Sequence, residues 1–201
     1  GVQSFYAVWD RGEGQLTRAR LQPQALLDGF PEDVRVPTDR PVDYAGAEGP
    51  RQYGWYLDLP APGERVVSSP VVRGGLVLFH TMIPSLAPCA FGGRGWLMAL
   101  RIANGGRPRS PAIDLDGDGR VGPGDVVHAL EGAAAAADIP EVAAPGGRRA
   151  RPGLLAGTAF LGDRAYLSGS GTMDGAGIEV RAVRPLGDAR TGRLSWGQLG
   201  P

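Results

Sequence analysis

Apolar residues in this chain come in short runs broken by Gly, Pro and Asp, and several runs alternate with polar residues at a period of two. The segments SFYAVWD (4–10), LTRARLQ (16–22), GWYLDLP (54–60), SPVVRGG (69–75), LVLFHTMI (76–83), GWLMALRI (95–102), GTAFLGD (157–163), RAYLSGS (164–170) and IEVRAVR (178–184) each read as a β-strand. VVRGGLVLF and AFLGDRAYL read as hairpins, because Gly-Gly and Gly-Asp at their centres supply the backbone freedom that two-residue turns need. Two stretches break this pattern. Residues 28–51 and 138–153, rich in Pro, Gly and Arg, read as loop. Residues 125–137, DVVHALEGAAAAA, combine helix formers with Val126, Val127 and Leu130 on one side and predict a short helix. Residues 104–153 together read as one long insertion between strands.

The strands recur in a common order. VVRGGLVLFHTMIP followed by GWLMALRIANGGR gives two strands, a loop and a strand ending in a Gly turn. TAFLGDRAYLSGSG followed by GIEVRAVRPLGDARTGRLSW repeats that order. The third strands align at Tyr6-Ala7-Val8, Met98-Ala99-Leu100 and Arg181-Ala182-Val183. Repeated sheet units of this kind point to propeller blades, with a plain antiparallel sandwich as the alternative.

Composition narrows the class further. A chain of 201 residues is long enough to bury a sizeable core, and its 21 basic and 21 acidic residues balance. With no basic stripe, neither nucleic acid nor a membrane surface is an expected partner. Gly 33 and Pro 18 are high, but 42% of residues are hydrophobic, which fits a turn-rich β protein better than disorder. No run of about 18 apolar residues is present to span a membrane. The chain opens at Gly1 without a signal-peptide pattern, so a fragment or processed product is expected.

The candidate chemistry lies in DLDGDGRVGPGD (114–125). Asp114, Asp116 and Asp118 place carboxylates at alternate positions of a tight loop, and Gly119 allows a sharp turn after the third. Calcium takes six to eight oxygen ligands in a flexible shell, and this spacing is that of an EF-hand loop. Arg120 would lend its backbone carbonyl, Val121 is the apolar plug, water would fill the place of Gly122, and Asp125 closes the cage where Glu is usual. The metal residues read from the spacing are therefore Asp114, Asp116, Asp118, Arg120 and Asp125, holding Ca2+. The helix expected from 125 would leave the loop, while RSPAI before it reads as extended rather than as an entering helix. The plain alternative is a solvated acidic turn.

Other chemistry-bearing residues have bland readings. Cys89, the one cysteine, lacks a flanking nucleophile motif and is expected as a buried thiol or as half of a disulfide to a partner outside the chain. His80 sits in an apolar strand and reads as a packed histidine, and His128 as a surface one. SGSGTMDGAG (168–177) lacks the strand and helix context of a phosphate loop and reads as a flexible hairpin loop. Nothing pairs a nucleophile with a base, so no catalysis is expected.

Longer strings add a family. VQSFYAVWDRG (2–12), GWYLDLPAPGERVVSSPVVRGGLVLFHTMIP (54–84), PCAFGGRGWLMAL (88–100) and AIDLDGDG (112–119) run in order along nearly the whole chain, with TGRLSWGQL (191–199) near its end. In these stretches the chain resembles the C-terminal β-propeller region of type IV pilus tip-associated adhesins, the PilC/PilY type of pilus biogenesis factors. The resemblance implies an all-β fold: residues 1–201 as the C-terminal blades of a β-propeller with quinoprotein-like repeats, an inserted calcium loop and a short helix. It also implies a secreted protein at the pilus tip on the bacterial surface, supporting pilus assembly, adhesion and twitching motility. The partners it implies are minor pilins, the rest of the tip protein, and host or surface receptors. The better-known calcium loop of that family belongs to an earlier propeller stretch, so the loop at 114–125 rests on its own spacing. AVRPLGDARTGRLSW (182–196) is also similar to quinoprotein repeats, in which Trp196 would pack between blades. Two other classes stay open: a quinoprotein-like dehydrogenase fragment, which would need paired cysteines or stacked tryptophans at a cofactor cavity, and a dockerin-like calcium-dependent interaction module, which would carry a second acidic loop.

Overall fold

The computed structural model describes residues 1–12, 15–85, 92–133, 138–171 and 177–184. Fourteen strands are present among them, with one 3-10 turn at Arg18–Arg20. They are β1 (Gln3–Val8), β2 (Gln22–Gln24), β3 (Leu26–Leu27), β4 (Val34–Pro37), β5 (Gly54–Leu59), β6 (Val71–Arg73), β7 (Leu76–Pro84), β8 (Gly93–Arg101), β9 (Val127–His128), β10 (Val142–Ala143), β11 (Gly147–Arg149), β12 (Leu155–Leu161), β13 (Arg164–Gly169) and β14 (Ile178–Ala182).

The longest apolar runs form the middle of the molecule. β7 and β8 pair antiparallel in full register, with Leu76 opposite Arg101 and Pro84 opposite Gly93. They belong to a six-stranded sheet of order β3-β4-β11-β8-β7-β6. Successive side chains of a strand point to opposite faces, so a run that is apolar at every position requires cover on both sides. Both covers are present. Val77 and Phe79 of β7, with Met98 and Leu100 of β8, pack against Trp55 and Leu57 of β5 and Phe5 and Ala7 of β1. Those residues lie in the sheet β1-β5-β2, where Phe5 stacks on Phe79 at 4.1 Å. On the other face Leu76 and Leu78, with Leu97 and Ala99, pack against Leu155, Ala165 and Leu167 of the sheet β12-β13-β14. The result is three stacked layers with two cores between them. Each fully buried Leu or Phe contributes about 1.5–3 kcal/mol.

The two hairpins close as the turn residues require. β6 joins β7 through Gly74 and Gly75, at φ 51° and 80°, and β12 joins β13 through Gly162 at φ 58° and Asp163.

Several expectations are corrected. LTRARLQ is not a strand: Arg18–Arg20 is a 3-10 turn, and strand structure begins at Gln22. The stretch 28–51 is not all loop, because β4 lies within it and is buried at every position. The stretch 138–153 contributes β10 and β11, and β11 sits in the six-stranded sheet between β4 and β8. The short helix is absent where residues 125–133 are described. Val127–His128 is a strand, paired antiparallel with Val142–Ala143. Its apolar residues face a small third core of Phe30, Val34, Val36 and Ala143, and that packing overrides a weak helical preference. Residues 134–137 of the expected helix lie outside the described residues, as do Cys89, Trp196 and the TGRLSWGQL match. No helix among the described residues is long and apolar enough to cross a membrane, which leaves crossing by strands unaddressed.

Candidate metal centre

The acidic loop is hung between two cores. Ala112 and Ile113, just before it, are fully buried against β12–β14, and Ile113 bridges Val183. Leu115, inside it, packs with the third core around Phe30 and Val36. Asp114 is thereby fixed at 3% exposure. Its amide donates to the Ala182 carbonyl at 3.0 Å, and its carbonyl accepts from Arg181 Nη1 at 2.6 Å. Arg181, 5% exposed, is held by an ion pair to Glu179.

The side chains then organise the turn. The Asp114 carboxylate accepts from the amides of Gly117 at 2.7 Å and Gly119 at 3.1 Å. Asp116 accepts from the Asp118 amide at 3.0 Å, and Asp118 from the Arg120 amide at 2.7 Å. Gly117 and Gly119 adopt φ 82° and 83°, a region costly for other residues. Asp125, 2% exposed, closes the loop onto itself, accepting from Leu115 at 2.6 Å and Gly122 at 2.7 Å.

The three alternate carboxylates converge. One oxygen from each of Asp114, Asp116 and Asp118 lies within 4.8 Å of the others, with Asp114 buried and the other two exposed. Two carboxylates at that spacing repel by about 1 kcal/mol even at the dielectric constant of water. A hard cation relieves this, since ligand oxygens about 2.3–2.6 Å from calcium lie at most about twice that from one another. The donor set therefore fits calcium. Asp125 is not one of the convergent three; its two oxygens accept from the amides of Leu115 and Gly122. Arg120 gives its amide to Asp118, and its side chain lines a cleft of about 240 Å³ with Val121, Asp163, Ala182, Val183 and Arg184. His128, placed by the sequence on a helix, is an exposed residue of β9.

Two residues beside the loop escaped sequence reasoning. Arg181 holds the Asp114 carbonyl, and an Arg164 nitrogen lies 3.3 Å from where a Cβ on Gly119 would be. A signal existed for the first, because Glu179 and Arg181 stand two apart and so share a strand face. On an outer strand that pairing reads as solvated, and only the structure shows it facing inward. Trp55 and Trp96 are buried packing residues, whereas Trp9 is 47% exposed.

No family model matches the chain. Curated relatives do. A PilY1 homologue of Xylella fastidiosa, a type IV pilus biogenesis factor, is 35% identical over 115 residues, covering 52% of this chain and 8% of the relative. PilY1 of Pseudomonas aeruginosa, also a type IV pilus biogenesis factor, is 31% identical over 140 residues, covering 60% of this chain and 12% of the relative. This chain is homologous to the PilY1 type IV pilus biogenesis factors. It spans between 8% and 12% of the length of these PilY1 relatives. The crystal structure of the Pseudomonas aeruginosa PilY1 C-terminal domain matches with a TM-score of 0.66 over 92% of this chain and 37% of that one, at 22% identity. That domain is a β-propeller, so the all-β stack of sheets described above is a set of propeller blades.

Proposed function

We propose that this chain is a calcium-binding propeller module of a type IV pilus biogenesis factor, displayed at the pilus tip on the bacterial surface. The supporting observation for the pilus role is the homology to PilY1, which agrees with the resemblance carried by GWYLDLP and PCAFGG. In this reading the module supports pilus assembly, adhesion and twitching motility by binding. Its partners are minor pilins and the rest of the tip protein, with host or surface receptors beyond them.

Convergence of Asp114, Asp116 and Asp118 supports the calcium part of the reading. The cation supplies a multivalent positive centre. The chain's own residues supply the rest: Asp125 draws the two ends of the loop together, Leu115 anchors it to the third core, and Arg181 fixes the Asp114 backbone against β14. Calcium here is structural, joining the loop to the β12–β14 sheet. Titration with calcium followed by calorimetry should give one saturable site, strongly weakened in Asp116→Ala. Absence of heat, together with a melting temperature unchanged by excess calcium, would remove the site. In the organism, an Asp114/Asp116/Asp118 triple alanine variant should alter pilus display or twitching and leave soluble metabolism untouched. Normal piliation and motility in that variant would remove the functional role of the loop while leaving binding intact.

A further inference from the structure

His80 lies at the joint between two layers, remote from the acidic loop in sequence. It is 1% exposed, in the middle of β7, on the face that also carries Leu76 and Leu78 toward β12–β14. Its Nδ1 is 2.9 Å from the Thr158 hydroxyl of β12 and 3.1 Å from the Ser68 hydroxyl in the β5–β6 connection. One ring nitrogen thus ties two hydroxyls from two other segments to β7, and β7 and β12 lie in different sheets. The other, Nε2, is buried without a hydrogen-bond partner among the described residues.

That arrangement tolerates one protonation state. In the neutral tautomer with its proton on Nδ1, that N–H donates to a hydroxyl and Nε2 is left as a bare nitrogen. Adding a proton places a charge and an unanswered N–H in an apolar joint, at the full desolvation cost of an unpaired polar group. The groups facing the ring carry no charge to offset it: Leu97 lies opposite on β8, Thr158 on β12, and Ser68 in the connection before β6. Glu64 is an acid that reaches β7 one residue from the ring, at Thr81. It bonds instead to Thr81 and Arg35, and Thr81 points to the opposite face of the strand.

We propose that His80 is a proton-sensitive latch between the six-stranded sheet and the β12–β14 sheet, closed when the ring is neutral and loosened when it is protonated. The same geometry argues against a nucleophile–base pair of Ser68 and His80, because the ring is sealed from solvent and no carboxylate orients it. Burial alone holds the His80 ring below its ordinary value of 6.5, with no neighbouring charge adding to the shift. A depressed folded value means that the unfolded chain takes up the proton first. The latch is therefore fully effective above about pH 6.5, weakens as pH falls below that, and levels off once the folded ring itself is protonated.

The chain has two histidines, which makes the test clean. Proton NMR of the whole chain, with the His80 signals assigned as those kept in His128→Ala, should show the His80 imidazole titrating below its ordinary value of 6.5. Hydrogen exchange, corrected for intrinsic rate, should show β12 amides losing protection between pH 7.5 and 5.5 while β1 and β5 keep theirs. The loss should reach about tenfold for each unit by which the ring's value is depressed. His80→Gln should flatten that pH dependence. A His80 imidazole titrating at or above 6.5, or equal loss of protection in all three layers, would overturn the latch, and so would a pH dependence unchanged in His80→Gln. Should His80→Gln fail to fold, the wild-type titration and exchange decide alone.

Discussion

Glu64 is fully buried, and its carboxylate meets the Arg35 guanidinium in a two-pronged pair at 2.6 and 2.8 Å. Thr81 donates a third bond at 2.6 Å, and Arg35 lies over the Trp96 ring at 4.0 Å. Breaking such a pair from one side leaves an unanswered buried charge, which costs about 3–5 kcal/mol, whereas replacing both partners with apolar residues of similar volume is often near neutral. Glu64→Ala should therefore lower the unfolding free energy by about 3–5 kcal/mol in urea denaturation, and Arg35→Met with Glu64→Leu should lower it far less. An equal loss in the single and double variants would show that the cost is packing rather than charge. Nothing in the sequence marks this pair. Arg35 falls in a stretch that reads as loop, and Glu64 in a turn between apolar runs, so neither has a pattern that announces burial.

At the scale of elements, the loop at 114–125 is the piece whose internal layout was legible and whose attachments were not. Spacing alone gave three convergent carboxylates and the turning glycine, because alternate positions in a tight loop leave the side chains little choice of direction. The helix expected after it failed for a tertiary reason: Val127 packs beside Val34 and Val36, and His128 pairs with Val142. The hydrogen bonds from Asp114 to Ala182 and from Arg181 to Asp114 give the loop a direct hold on β14. On the calcium reading, chelation should loosen the amides of 114–125 together with the bridge at Ile113 and Val183, before β7 and β8 respond. Hydrogen exchange with and without chelator checks this. Loss of protection spread evenly over all strands would mean the loop holds up the entire fold. Arg181→Ala should weaken calcium binding although Arg181 contributes no ligand; calorimetry on that variant reads the coupling, and unchanged affinity would dissolve it.

Across the whole molecule, the two outer faces of the stack differ. The outer side of β1 and β5 carries Ser4, Tyr6, Tyr56 and Asp58 under Arg18, which pairs with Asp58 at 2.6 Å and lies 3.9 Å over Tyr56. The outer side of β12–β14 carries Leu161, Tyr166, Ile178 and Val180, from 37% to 71% exposed. Exposed apolar rows of this kind drive association. The chain in solution should associate as its concentration rises, by light scattering, and Ile178→Thr with Val180→Thr should suppress this while changing stability by no more than about 0.5 kcal/mol per site. Association unchanged in the double variant would place the contact elsewhere.

The sequence by itself determined the strands whose pattern is local. Most positions of LVLFHTMI and of GWLMALRI are apolar, on both faces of each strand, so these strands had to be covered on both sides, and Gly-Gly and Gly-Asp left no other place for the hairpins to turn. It also determined the acidic loop, since carboxylate spacing in a tight turn is a property of consecutive residues. Tertiary structure decided the rest. β4 and β11 are short and carry arginines; β11 becomes a sheet strand because β8 offers an edge with its hydrogen bonds unfilled, and β4 because β11 offers one in turn. The burial of Arg35, Glu64, His80 and Arg181 depends on residues tens of positions away. Such pairs and joints exist only after the layers close, so no local pattern records them.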